Sequence, residues 1–226
     1  IINAIKNKNI NFYIKAVISN RKKAYGLQRA KNNDIPYYYL PYIKLNISRE
    51  EYDLNLSNKI KEINPDVIVC AGWMHILSKK FLDNFRNIIN LHPALPGMFP
   101  GDNSIQDAFN AFKEKKIDHT GIMVHHVIPE IDAGRVINTK KIKIYEYDSL
   151  NDLKSRIQYY EKNLLMAALN TMNTNFNKIK SGKVRDLYDY DEKSILISHT
   201  DRLSSFDRHI CDVRGKCQLL CLLSQW

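Results

Sequence analysis

Apolar and polar positions fall into short blocks along this chain. Phe12–Ser19 (FYIKAVIS) reads as a buried strand and Lys23–Asn32 as a short helix. Ile35–Leu40, bounded by Pro36 and Pro41, is a second strand candidate. Ser48 is placed to cap a helix, with Glu50 and Glu51 in the first turn, where the helix dipole favours negative charge. That helix is expected to run to about Ile63 and end before Pro65. Asp66–Ala71 (DVIVCA) is a continuous apolar strand of the kind a parallel sheet buries on both faces. Ser78–Asn84 predicts a short helix and Asn87–Leu91 a strand. Strands alternating with helices in this way predict an α/β fold with a doubly wound, mostly parallel sheet.

The pattern changes after Leu91. Pro93–Gly101 is rich in Pro and Gly and reads as a loop. Ser104–Lys116 predicts a helix capped by Asn103 or Ser104, and Gly121–Val127 and Arg135–Ile144 predict two antiparallel strands around a turn at Pro129–Gly134. Ser149 caps a long helix expected to reach about Leu169. Thr171–Lys180 is polar and Asn-rich, which suits a linker. Val184–Tyr188 and Ser194–Ser198 then read as a hairpin, with an apolar helix from about Gln218. The expected organisation is a domain over 1–170, a linker over 171–180 and a further segment over 181–226. No internal repeat is visible.

Composition adds little to the class. With 44% hydrophobic and 26% charged residues the chain is ordinary for a globular protein. The longest apolar runs are far too short to span a bilayer and no secretory signal is visible, so a cytoplasmic enzyme is expected. The net charge of +10 is spread along the chain among Asn, Ile and Tyr. A solvated Lys-rich surface explains it, and attraction of phosphorylated substrates is the second reading. No nucleic-acid-binding signature accompanies it, and neither a nucleic-acid nor a membrane partner is expected. The four cysteines are not a disulfide framework. Cys70 is expected to be a small buried residue. His209, Cys211, Cys217 and Cys221 lie near one another but lack the paired C-x2-C spacing of a structural zinc site, and no metal is assigned to them.

Candidate chemistry centres on Asn90 and His92. At i and i+2 near the end of a strand they share one face. The carboxyl end of such a strand is where open α/β sheets build ligand sites. Asp132 lies in the turn PEIDAG, where Gly134 lets the chain tighten. If the hairpin folds back, its carboxylate meets the imidazole and is expected to raise the His92 pKa. An amide, an imidazole and a carboxylate together suit acyl transfer to an amine, although Asn-x-His-Pro taken alone is compatible with a plain structural loop.

The segments NLHPALPGMFPG, TGIMVHHVIPEIDAG, AGWMHILS and SREEYD, in the family's order over about residues 1–170, resemble the glycinamide ribonucleotide transformylase family. The resemblance implies the formyltransferase fold and attack of glycinamide ribonucleotide on the formyl carbon of 10-formyltetrahydrofolate, in purine (IMP) biosynthesis. It implies His92 as general acid/base, Asn90 at the oxyanion, and Asp132 tuning His92 and relaying a proton through water. Met74, His75, Ile76 and Leu77 match the segment lining the pterin pocket, Arg49 a position near the folate, Glu161 a carboxylate near the ribose and glycinamide end, and His125 a site-facing histidine. His75 stands where the family usually carries Arg, and Ile105 replaces a frequent polar residue. The family's first strand and its phosphate-binding turn have no counterpart here, so weak ribonucleotide binding is expected of this chain.

The segment around GKVRDLY and DRLSSFDRHI is similar to the opening of the SAICAR synthetase (phosphoribosylaminoimidazole-succinocarboxamide synthase) family, over about residues 178–226. That likeness implies a partial α+β segment of an ATP- and Mg-dependent ligase, with Lys183 and Arg185 at the ATP phosphates and Asp201, Arg202, Ser204 and Asp207 on the substrate side. On its own the segment is expected to be inactive as a ligase. Two other readings of the first domain remain. A formyltetrahydrofolate hydrolase would carry a His-His-Ser type motif where this chain has Leu91 and Pro93, and a non-catalytic anion-binding module would have no use for Asn90, His92 and Asp132 together. Oligomeric state is not legible.

Overall fold

The computed structural model describes residues 1–42 and 47–174, then the strands at 178–181, 185–191, 194–199, 202–205 and 208–212, with side chains over 1–42 and 47–172. The described chain divides into two compact units, Ile1–Asn170 and Thr171–Trp226.

The first unit opens with α1 (Ile2–Lys6), β1 (Val17–Ser19), α2 (Tyr25–Lys31) and β2 (Tyr37–Tyr39). β1 and β2 pair in parallel, Val17 opposite Tyr37. β1 is shorter than the apolar run Phe12–Ser19 predicts. The Pro36 carbonyl accepts from the Val17 N–H at 2.9 Å, but proline has no N–H with which to carry the ladder further back.

α3 (Arg49–Ile63) begins in a capping box. The Ser48 side chain accepts from the Glu51 N–H, and the Glu51 carboxylate accepts from the Ser48 N–H. Asn64, left-handed at φ 50°, ends it just before Pro65. Tyr52, Leu56 and Ile60, four residues apart, put one face of α3 into a core shared with Cys70, Leu77, Phe81 and Ile88. Burying each large side chain in such a core contributes about 1.5–3 kcal/mol. Cys70 is a free, buried thiol whose pKa burial pushes up to about 12.

β3 (Ile68–Cys70), α4 (Lys79–Leu82), β4 (Ile88–His92), α5 (Ser104–Lys113), β5 (His119–His126), β6 (Val136–Lys143) and α6 (Leu150–Thr174) follow. Among the described residues these strands form one sheet in the order β3-β4-β5-β6. The class is α/β, as expected, and the sheet is mixed. β3–β4 is parallel, whereas β4–β5 and β5–β6 are antiparallel. α5 stops before Lys116 because Lys115 turns left-handed at φ 57°. The connection into α6 is tied by Asp148, which accepts a forked pair of bonds from Arg156, both at 2.6 Å. α6 runs to Thr174, past the expected Leu169 and into the stretch expected to be a linker.

In the second unit β7 (Lys178–Ser181), β8 (Arg185–Asp191) and β9 (Ser194–His199) form an antiparallel sheet, and β10 (Arg202–Ser205) pairs antiparallel with β11 (Arg208–Asp212). The helix expected from Gln218 lies outside the described residues, as do Cys217 and Cys221. Among the described residues no group of His, Cys, Asp and Glu could hold a metal ion, and no helix is long and apolar enough to cross a membrane.

Candidate active site

Parallel β3 and β4 send the chain out at the same edge of the sheet, so the segment after Cys70 and the pair Asn90–His92 emerge side by side. The antiparallel register with β5 sets Asn90 opposite His125 and His92 opposite Met123. A bulge between Val124 and His125 interrupts the β5–β6 pairing. Bulges re-aim side chains, and His125 is buried against the site while His126 lies 3.3 Å from Arg135. The turn after β5 carries Asp132 back over the strand end. Asp132 is left-handed at φ 52°, which aspartate tolerates better than most residues. Gly134 is required for close approach, since a Cβ there would lie 1.8 Å from the His126 carbonyl oxygen.

The Asp132 carboxylate is the hub of the cluster. Its Oδ2 lies 3.3 Å from His92 Nδ1 and accepts from the Gly101 N–H at 3.0 Å. Its Oδ1 lies 3.4 Å from His125 Nε2 and accepts from Asn90 Nδ2 at 3.4 Å. Asn90 Nδ2 is also 3.4 Å from His125 Nε2. The His125 Nδ1 faces the His126 carbonyl at 2.9 Å. A carbonyl only accepts, so that nitrogen carries a proton, and Nε2 is left facing both the Asn90 amide and the Asp132 carboxylate.

His92 is 3% exposed, and its Nε2 lies 3.1 Å from the Phe99 carbonyl oxygen. Both ring nitrogens therefore face acceptors, an arrangement that only an imidazolium satisfies in full. Burial works against that charge and outweighs it. Desolvation, aided by His125, holds the His92 pKa below its ordinary value against the upward pull of Asp132 and the Phe99 carbonyl. This corrects the expectation that the carboxylate would raise it. Asp132 pulls in the expected direction, but taking the imidazolium out of water costs more than the carboxylate returns. For Asp132 the largest influence is again burial, which pushes its pKa up. Hydrogen bonds from His125 and Gly101 and the two imidazole charges together leave it below the ordinary carboxylate value. A neutral imidazole beside an ionised carboxylate is the resting pair at neutral pH.

The second group of residues stands on the segment between β3 and α4. Met74 and Ile76 are 61% and 63% exposed, unusually open for apolar side chains. Leu77 is buried in the core. His75 sits edge-on to Trp73 and Tyr42, ring centroids 5.8 and 5.5 Å away. Its pKa is lowered by burial first and then by the charges of Arg49 and Arg21. Arg49 packs over the Tyr42 and Tyr52 rings and donates to the Ile76 carbonyl. Among the described residues the buried Trp73 indole N–H has no partner. Glu161, on α6, is half-buried with its carboxyl pKa raised by burial, and among the described residues it makes no hydrogen bond or ion pair with the Asp132 cluster.

Of the positions named in the second unit, Arg185 stands on β8 and Arg202 and Ser204 on β10, while Lys183, Asp201 and Asp207 lie outside the described residues. Reading the sequence missed two backbone groups of the 93–101 loop, the Phe99 carbonyl and the Gly101 N–H, because any residue type supplies them. It also assigned no role to Asp53, which closes the SREEYD segment four residues after Arg49 on α3.

The formyl transferase family model matches residues 1–169, and the SAICAR synthetase model matches residues 178–226. The chain is 46% identical over 187 residues to a phosphoribosylglycinamide formyltransferase of Dictyostelium discoideum, covering 77% of this chain and 91% of that protein. It is 45% identical over 168 residues to the Schizosaccharomyces pombe protein of the same name, covering 70% and 81%. Among solved structures it resembles phosphoribosylglycinamide formyltransferase from Bacillus halodurans, with a TM-score of 0.72 and 28% identity over 77% of this chain and 88% of that one.

Proposed function

This chain belongs to the formyl transferase family, and on that premise we propose that its first unit moves a formyl group from 10-formyltetrahydrofolate to the primary amine of glycinamide ribonucleotide, a cytoplasmic step of purine synthesis. The observation that carries this reading is the approach of the Asp132 carboxylate to both His92, at 3.3 Å, and Asn90, at 3.4 Å. The amine nitrogen attacks the formyl carbon, and the carbonyl electron pair moves to oxygen. The Asn90 amide stabilises that oxyanion with an N–H released from one of its long 3.4 Å contacts to Asp132 and His125. His92 accepts the proton lost by the amine, and Asp132 stabilises the imidazolium so formed. Collapse of the intermediate expels the folate nitrogen, which takes the proton back from the His92 imidazolium, leaving formylated product, tetrahydrofolate and a neutral His92. His92 receives its proton at Nε2, so the loop carrying the Phe99 carbonyl must draw back before attack.

The folate ring is assigned to the 73–77 segment. Two exposed apolar side chains, Met74 and Ile76, beside a buried indole N–H without a partner suit a flat ring with polar edges. His125 and Glu161 are proposed at the ribonucleotide side. For residues 178–226 the likeness to SAICAR synthetase suggests a ligase-type unit whose ligand would be ATP with magnesium, with Lys183, Arg185, Asp201, Arg202, Ser204 and Asp207 as its candidate contacts. No step is assigned to them.

The test is His92→Ala in a formyl-transfer assay. General acid–base catalysis contributes roughly 10²–10⁴-fold, so kcat is expected to fall by about that factor while 10-formyltetrahydrofolate still binds. Turnover within about twofold of the unsubstituted protein would overturn the mechanism.

A further inference from the structure

Asp53 is a carboxylate at 1% exposure, on the face of α3 that meets the chain between β3 and α4. A buried charge needs partners, and both oxygens of Asp53 have one. Oδ2 accepts from the Ser78 N–H at 2.7 Å. Oδ1 lies 3.3 Å from Arg49 Nε, an ion pair without the alignment of a hydrogen bond. The same Arg49 donates through Nη2 to the Ile76 carbonyl. One carboxylate therefore fixes two points of the segment, Ser78 directly and Ile76 through the guanidinium. Leu77, between them, is buried in the core. With Leu77 anchored and its neighbours held, Met74 and Ile76 have little choice but to face outward.

We propose that Asp53 is a positioning residue for cosubstrate binding, holding the 73–78 backbone in the shape that receives the folate ring through paired contacts to Ser78 and Arg49. This rests on the reading of that segment as the folate pocket. It also gives Arg49 a different use from contact with the folate itself: its guanidinium is spent on a protein carbonyl and on Asp53. An arginine at position 75 is then not needed to hold the segment, because the neighbouring carbonyl already has a guanidinium on it from α3. Ser78 is the N-cap of α4, its side chain accepting from the Phe81 N–H, so the Asp53–Ser78 bond also fixes where that helix starts.

The experiment compares Asp53→Ala, Asp53→Asn and Arg49→Lys with the unsubstituted protein, in steady-state formyl transfer and in amide hydrogen exchange over residues 73–78. Misplacing a binding segment by about 1 Å costs up to 10²-fold, so Asp53→Ala is expected to raise KM for 10-formyltetrahydrofolate by about tenfold or more. KM for the amine substrate and kcat should change by less than about threefold. Asp53→Asn keeps an acceptor for the Ser78 N–H and is expected to recover part of the loss. Arg49→Lys, which keeps the charge but not the fork, should raise the same KM. Exchange at Ser78 should quicken in Asp53→Ala and less so in Asp53→Asn. A general loss of stability would lower the active fraction, and hence kcat, and leave KM alone. A folded Asp53→Ala or Asp53→Asn with unaltered KM for the folate would overturn the proposal, as would a loss confined to kcat. Absence of formyl transfer by the unsubstituted protein would instead defeat the reading of function, and the exchange arm would then decide whether Asp53 holds the segment.

Discussion

The two halves of the site are built in opposite ways. At the strand end, side chains do the chemistry and the backbone aims them: the i, i+2 spacing of Asn90 and His92, the register with β5, the bulge before His125 and the tight turn at Gly134 bring three side chains around one carboxylate. On the 73–78 segment, side chains hold and the backbone is what is held. Asp53 and Arg49 come from α3 to grip a carbonyl and an amide. Residue identity therefore constrains the first region tightly, while the second tolerates exchanges such as His75 provided that its grip is kept.

The largest separation between the two regions is expected from Gly134→Ala. The added Cβ would meet the His126 carbonyl oxygen at 1.8 Å, so the turn must shift and carry Asp132 with it. Turnover should fall by about 10²-fold. Equilibrium binding of the folate cosubstrate should stay within about twofold, because no part of its segment moves. Equal losses in both measurements would mean that the regions are not independent. The smallest effect is expected from Ser48→Ala, which removes one side of the capping box that starts α3. Losing such a cap costs about 1 kcal/mol, readable as a lower denaturant midpoint. Because Arg49 is the first residue of α3, the KM for the folate should rise by about two- to threefold while kcat is unchanged.

What could be read in advance follows the same division. The pairing of Asn90 with His92, the return of Asp132 and the Ser48 cap are written in residue types at fixed spacings. The Phe99 carbonyl on His92 Nε2 and the Gly101 N–H on Asp132 are backbone groups, which leave no mark in a sequence. Asp132 does raise the His92 pKa, as its residue type implies, but the net direction is hidden from the sequence for a related reason. The opposing charge is visible as an aspartate, whereas the burial that outweighs it comes from the 93–101 loop folding over the ring. β1 fell short of its apolar run because a proline on the other strand stopped the ladder. The electrostatics of Asp53 could not be foreseen either, since its burial depends on where α4 packs against α3.

The pH dependence of kcat/KM tests the His92–Asp132 pair most directly, measured for the unsubstituted protein and for Asp132→Asn. His92 acts in its neutral form, so activity is lost as pH falls through its pKa in the folded protein. That pKa lies below the unfolded value, so the folded state also binds fewer protons there, and stability declines as pH drops through the ordinary histidine range. The acidic limb is expected below the ordinary histidine pKa. In Asp132→Asn the one charge that raised His92 is gone, so the limb should move lower still, with a smaller plateau because the imidazolium has lost its partner. A limb that stays in place when Asp132 is neutralised would contradict the pairing on which the catalytic reading stands, whereas one at or above the ordinary value would contradict only the dominance of burial over the carboxylate.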